Sequence, residues 1–174
     1  MNITIETKRL ILRPIKKNDA KDFFELDSNP EVHIYLGKKP VKTIEESQKM
    51  IDDILQQYKE FGIGRLAMIN KTTNEFIGWS GLKYERNLRK EFNYYDVGYR
   101  LKEQFWGKGY ATEAALASIN FGFNDLKLKE IGAAAELDHI ASNTILNKIG
   151  MKYSGTFVHD NTQLNWYTIM KSDW

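Results

Sequence analysis

The chain has 174 residues, 42% of them hydrophobic and 28% charged, which suits one soluble α/β domain (residues 1–174) with a substantial core. It has no cysteine, which excludes disulfides, zinc–thiolate sites and a thiol nucleophile, and its three histidines (His33, His139, His159) lack metal-ligand spacing. A formal net charge of +2 without a basic stripe argues against nucleic acid, and no apolar leader or run of ~20 residues suits a membrane, so a cytoplasmic protein is expected.

The first strand is predicted at Arg9-Leu10-Ile11-Leu12-Arg13, closed by Pro14. Asn18 is placed to cap a short helix through Phe23, Phe24 and Leu26, which Asn29-Pro30 stops. A longer helix spans about Thr43 to Phe61, with Ile51, Ile54, Leu55 and Tyr58 at i, i+3, i+4 and i+7. Gly62 and Gly64 break it. Three strand-like runs follow, Arg65–Ile69, Glu75–Tyr84 and Phe92–Leu101, with turns at Thr72–Asn74 and Asn87–Glu91; this reads as an antiparallel meander. The basic run Arg86 to Lys90 between two of them reads as a solvated loop. A helix from about Tyr110 to Asn124, a strand Glu130–Glu136, a helix Ser142–Ile149 stopped by Gly150, and strands Met151–Val158 and Leu164–Met170 complete the chain. The order β-α-α-β-β-β-α-β-α-β-β suggests a mixed sheet with helices on both faces.

The most informative stretch is Gln104-Phe105-Trp106-Gly107-Lys108-Gly109-Tyr110-Ala111-Thr112-Glu113, two glycines where a tyrosine-rich strand gives way to an alanine-rich helix. Small residues there free consecutive backbone N–H groups, and the helix N-terminus adds its positive dipole end, a seat for a phosphate or pyrophosphate. A Walker A loop fails because Lys102 stands at its first glycine and Gly109 follows the lysine. A dinucleotide fingerprint fails at Thr112, and the antiparallel meander upstream is not a βαβ unit. A tight turn with no ligand is the bland alternative. Ala111, Ala114, Ala115, Ser118 and Gly122 form one small-residue helix face, which allows close approach to a sheet and fixes where the helix points.

Gln104-x-x-Gly107-x-Gly109, preceded by Asp96-Val97-Gly98-Tyr99-Arg100-Leu101, resembles the acyl-CoA motif of the GNAT superfamily of N-acetyltransferases, and Trp106 to Ala114 resembles its RimJ/RimL branch. Thr7-x-Arg9-Leu10-x-Leu12-Arg13, Asn29-Pro30-Glu31-Val32 and Lys148-Ile149-Gly150-Met151 extend the likeness over nearly the whole chain. The resemblance implies a mixed, mostly antiparallel seven-stranded sheet splayed between its fourth and fifth strands. It also implies acetyl-CoA as co-substrate in the gap, an amine acceptor (a small molecule or a protein N-terminus), no metal, and a monomer or homodimer. On that mapping the amides of Gly107, Lys108, Gly109, Tyr110 and Ala111 hold the pyrophosphate, and Gln104 and Thr112 belong to the same cofactor site. The backbones of Tyr99 and Leu101 pair with the pantetheine arm, and Asn143 with His139, which stands where the branch has asparagine, lies beside it.

Acetyl transfer needs a neutral amine, a polarised thioester carbonyl and a protonated thiolate. With no cysteine, direct attack in a ternary complex is the expected scheme. The resemblance makes Asp96 the candidate base, directly or through a water, with ion pairing to Arg100 as its structural alternative. His159 or Asp160 is the other candidate, near a later-strand position where RimL-like enzymes carry glutamate. Ser142 is the candidate donor to the departing sulfur, with helix capping as its alternative. A backbone N–H of Val97 to Tyr99 would polarise the carbonyl. Glu113 is a further family match that complements the helix dipole. The aromatics Phe23, Tyr35, Tyr58, Trp79 and Trp166 are divided between core and acceptor pocket. A catalytically silent acyl-CoA-binding module is the competing reading.

Overall fold

Alternation of apolar residues along the central strands gives the sheet two buried faces, and each face recruits its own helices. The computed structural model describes residues 3–35, 37 and 39–174. In chain order the elements are β1 (Ile5–Glu6), β2 (Leu10–Pro14), α1 (Ala20–Asp27), α2 (Ile44–Phe61), β3 (Leu66–Asn70), β4 (Phe76–Glu85), β5 (Tyr94–Leu101), α3 (Tyr110–Asn124), β6 (Glu130–Glu136), α4 (Ile140–Lys148), β7 (Lys152–His159) and β8 (Thr162–Met170). The strands form one eight-stranded sheet in the order β1-β2-β3-β4-β5-β6-β8-β7. All neighbours are antiparallel except β5 and β6. The sequence reading gives seven strands; the additional one is the two-residue β1, too short to show any periodicity, which pairs Ile5 with Leu12.

On one face Ala67, Ile69 and Phe76 pack with Phe23 and Leu26 of α1 and Ile51 of α2. On the other, Leu66, Met68, Ile77 and Leu101 meet Ala114 of α3, and farther along Leu82, Val97, Ile131 and Ala133 meet Ala115, Ile119 and Phe123. Odd and even residues of β3 thus go to opposite cores, as a period of two demands. The small-residue face of α3 is buried at Ala114, Ala115 and Ser118. A methyl group at Gly122 would stand 2.6 Å from Leu82 Cδ1 and 2.8 Å from Ile131 Cδ1, so that glycine permits the close approach of α3 to the sheet.

Two local expectations are corrected. Asn18 does not cap α1; Asp19 occupies that position, and its carboxylate accepts from the Lys16 N–H at 2.8 Å and binds the Arg13 guanidinium through both oxygens, at 2.7 and 2.8 Å. The helix expected from Ser142 begins at Ile140, because His139 is its N-cap residue and accepts the Asn143 N–H at 3.0 Å.

The end of α2 is tied to the sheet by Tyr58. Gly62 closes the helix with φ +67, and a side chain at Gly64 would collide with the Tyr58 ring at 2.6 Å. The buried Tyr58 hydroxyl accepts from the Ile15 N–H at 3.0 Å and donates to the Arg65 carbonyl. Burial pushes its pKa up to about 12, so it stays a donor at neutral pH. Replacing Tyr58 with Phe strands a backbone donor and an acceptor, and should lower stability by about 1–3 kcal/mol in urea unfolding; a loss under about 0.5 kcal/mol would contradict the tie.

Candidate active site

Parallel β5 and β6 meet at a single registered pair, Asp96 with Gly132, and then part. Just beyond the end of β5, the Lys102 N–H reaches the Ile77 carbonyl at 2.9 Å, continuing the β4–β5 register of Gly78 with Leu101. Main-chain groups of the even residues of β5 therefore face β4, and those of Val97, Tyr99 and Leu101 face β6. Past the registered pair, Tyr99 N–H, Tyr99 C=O and Leu101 N–H look into the gap with no strand to bond. The Leu101 carbonyl is already used, accepting from the Trp106 indole at 2.9 Å.

The two lips of the gap are held from within the fold. The Asn143 side chain donates to the Glu136 and His139 carbonyls, each at 2.9 Å, and accepts from Asn165 Nδ2 at 2.8 Å and the Tyr167 hydroxyl at 2.9 Å. It thus binds the end of β6 to β8 and away from β5. Its side-chain amide is engaged within the fold. Across the gap, the Tyr99 hydroxyl lies 3.2 Å from both the carbonyl and the Oγ of Ser142. Burial raises the Tyr99 pKa well above the ordinary phenol value, so its proton is retained. The half-buried His139 ring stacks on Tyr35 at 4.4 Å and 13°, and burial lowers its pKa.

Beyond β5, a short 3₁₀ turn (Glu103–Phe105) carries exposed Gln104 and leads into Trp106–Gly109. Gly107 and Gly109 take left-handed φ of +71 and +78, conformations that L side chains resist. A Cβ at Gly107 would meet nothing within 4 Å, so its place is open to close approach. The Glu113 N–H is the first to bond back, to the Gly109 carbonyl at 3.1 Å, which leaves those of Tyr110, Ala111 and Thr112 without intrahelical acceptors. Lys108 is exposed beside them, with its ammonium 5.6 Å from the centre of the Phe105 ring.

This turn is clamped by residues about 100 positions away in sequence. Glu113 Oε1 accepts from Thr7 Oγ1 at 2.6 Å and the Arg9 N–H at 2.8 Å, and Oε2 accepts from Arg9 Nε at 2.6 Å. Arg9 also draws back the Lys108 carbonyl at 2.9 Å and covers the Tyr110 ring at 4.3 Å. Glu113 therefore does more than complement the helix dipole: it joins the Thr7-x-Arg9 motif to the glycine turn, a connection the spacing alone could not reveal.

Asp96 lies on the α1/α2 face of the sheet. Its ion-pair partner is Arg65, not Arg100, whose guanidinium pairs instead with the fully buried Asp27. The reason is register. Arg65 lies beside Gly81 and Gly98, and a Cβ at Gly98 would come within 2.5 Å of Arg65 Nη2, so two glycines make a trough that carries the guanidinium across to Asp96. Arg65 also donates to the Gly81 and Asp96 carbonyls. It binds Asp96 through Oδ2. Tyr94, two residues back on the same face, has a buried hydroxyl without a partner among the described residues. Sequence reasoning missed both Arg65 and Tyr94; glycines in register on adjacent strands were the available signal. His159 and Asp160 lie at the tight β7–β8 turn, 3.5 Å apart, where Asp160 and Asn161 take positive φ. Phe23 and Tyr58 are core.

An acetyltransferase (GNAT) domain model matches residues 9–152. The chain belongs to the GNAT acetyltransferase family. It is 32% identical over 173 residues to the uncharacterized N-acetyltransferase YoaA of Bacillus subtilis, covering 96% of each chain. A GNAT-family acetyltransferase structure from Bacillus anthracis superposes with a TM-score of 0.80 at 26% identity, covering 98% of this chain and 99% of that one. RimL, a ribosomal L7/L12 α-N-protein acetyltransferase solved with coenzyme A, shares the fold at a TM-score of 0.79 and 17% identity, over 97% of this chain and 98% of its own.

The Thr7–Arg9–Glu113 clamp has a pH signature. Burial pushes the Glu113 carboxyl up, but hydrogen bonds from Thr7 and Arg9 overcome this and hold its pKa below the ordinary carboxylate value. A depressed folded pKa stabilises above the unfolded value, about 4.3, and that contribution fades as pH falls through the folded pKa. Glu113→Gln should therefore lower the thermal midpoint at pH 7 and converge on the parent protein at acid pH. A deficit that stays constant below pH ~4 would contradict the clamp.

Proposed function

We propose that the protein transfers the acetyl group of acetyl-CoA to a primary amine, a protein N-terminal α-amine as in the RimJ/RimL branch or a small-molecule amine, by direct attack with both substrates bound. One observation carries this reading: the gap between β5 and β6 offers a run of unbonded main-chain groups that ends, at one side, on a glycine turn with free helix N–H groups. An extended amide-bearing arm ending in a diphosphate suits that shape, because each exposed N–H and C=O gains a partner.

The acetyl thioester supplies the acyl group. In this chain Gly107 to Thr112 hold the diphosphate, with Lys108 adding charge and Gln104 flanking the turn. Tyr99 N–H, Tyr99 C=O and Leu101 N–H orient the arm. The Tyr99 hydroxyl, kept protonated by burial and positioned by Ser142, gives a proton to the departing sulfur and regains one from solvent as the thiol leaves. The Asp96 carboxylate takes a proton from the amine through a water, while Arg65 fixes it through Oδ2. His139 forms part of the cleft wall through its stack on Tyr35.

The test is thiol release from acetyl-CoA across α-amino peptides and small amines. Amine-dependent release supports the reading, and tight CoA binding without release for any acceptor contradicts it. Tyr99→Phe should lower kcat about 10²–10⁴-fold with the KM for acetyl-CoA nearly unchanged. Gly107→Glu places a carboxylate at the diphosphate seat and should abolish CoA binding while leaving the circular dichroism spectrum intact. Retained CoA affinity in that variant would remove the phosphate role.

A further inference from the structure

The densest basic run of the chain, Arg86 to Lys90, lies between β4 and β5, and the acetyltransfer reading gives it no task. Arg89 departs from the solvated loop expected of this run, for its side chain is only 15% exposed. Its guanidinium carbon lies 4.5 Å from the centre of the Phe157 ring, 4.8 Å from that of Phe92 and 5.1 Å from that of Trp166. The three rings come from β7, the approach to β5, and β8, so chain proximity does not account for their convergence on one cation. The polar partner of Arg89 is Glu91, at 3.1 Å, a carboxylate 64% exposed, and such water-facing pairs hold little. The ring faces, with their negative quadrupoles, are what retain the guanidinium.

The cage continues to the point where the strands part. Trp166 packs edge-on against Tyr94, with ring centres 4.6 Å apart at 85°, and both cover Gly132, where a Cβ would meet Trp166 at 2.3 Å. Tyr94 and Asp96 share one face of β5, and Asp96 is the partner of Gly132. Glu85 Oε1 pins the start of the loop through the N–H groups of Arg86, Asn87 and Leu88 at 2.9–3.2 Å, and residues 86–93 belong to no strand or helix.

We infer that Phe92, Phe157 and Trp166 form a binding site for an organic cation, a guanidinium or alkylammonium group, and that Arg89 fills it in the resting protein as an internal competitor. The inference rests on the acetyltransfer reading only in making that cation the charged end of the amine acceptor. Binding at the cage stands by itself.

Agmatine, which carries both a guanidinium and an alkylammonium, is the probe, titrated by calorimetry without acetyl-CoA so that turnover plays no part. Arg89→Ala should bind it about tenfold more tightly than the parent protein, the difference one desolvated cation–π contact makes. Adding Phe157→Ala to that variant should erase the gain, and Arg89→Lys, which keeps a cation on the same stem, should show none. CoA affinity unchanged in all three variants certifies the fold. Equal agmatine affinity in the parent protein and Arg89→Ala, or a gain that survives loss of Phe157, would overturn the inference. Thiol release is scored separately: its absence with this binding pattern intact counts against acetyl transfer alone, and the converse counts against the cage alone.

Discussion

Two parallel strands that bond at one residue pair and then separate are the constraint on which the rest of this structure depends. A sheet interior ordinarily satisfies every main-chain N–H and C=O, and each one left buried and unpaired costs about 1–3 kcal/mol. The separation of β5 from β6 beyond Asp96 and Gly132 breaks that rule on purpose. Asn143 secures one lip by four hydrogen bonds to two carbonyls, an amide and a phenol. The other lip is secured on its far side by β4 and, across the gap, by the Tyr99–Ser142 contact. The opening is thus built into the fold, and no strand among the described residues completes the bonding there.

The gap has two differently furnished sides. On the α3 side lie the glycine turn, its clamp to Thr7 and Arg9, and a phenol that keeps its proton. On the α1/α2 side lie buried charges in pairs, Asp96 with Arg65 and Asp27 with Arg100, with Trp79 between the two guanidinium groups at 5.3 and 5.0 Å. Removing one member of such a pair leaves an uncompensated buried charge, so these pairs fix geometry more than they add stability. Asp96 is therefore a carboxylate with one oxygen tethered, beside the point where the strands part. The glycines at 81 and 98 are what make this possible, since any side chain at 98 would evict Arg65.

Much of this was legible in the residues. Glycine spacing located the turn, helical periodicity gave α2, and the small-residue face of α3 was visible as a stripe before its burial was known. What stayed hidden has a common cause: contacts between residues distant in sequence leave no local pattern. The Thr7–Arg9–Glu113 clamp, the placement of Arg65 on Asp96 and the enclosure of Arg89 by three rings each depend on register between separate strands. Short elements failed for a different reason. Two residues of β1 carry no period, and Asp19 displaced Asn18 as the cap residue of α1 because Arg13 holds its carboxylate.

The central claim is that a coenzyme completes the sheet where β5 leaves β6. Amide hydrogen exchange resolved by NMR, with and without coenzyme A, tests it most directly. Slowed exchange is expected on ligand addition at Tyr99, Leu101 and the amides from Gly107 to Thr112, with β2 and β3 unchanged. Exchange at Tyr99 and Leu101 that is already slow in the free protein, or that does not respond to the coenzyme, would contradict it.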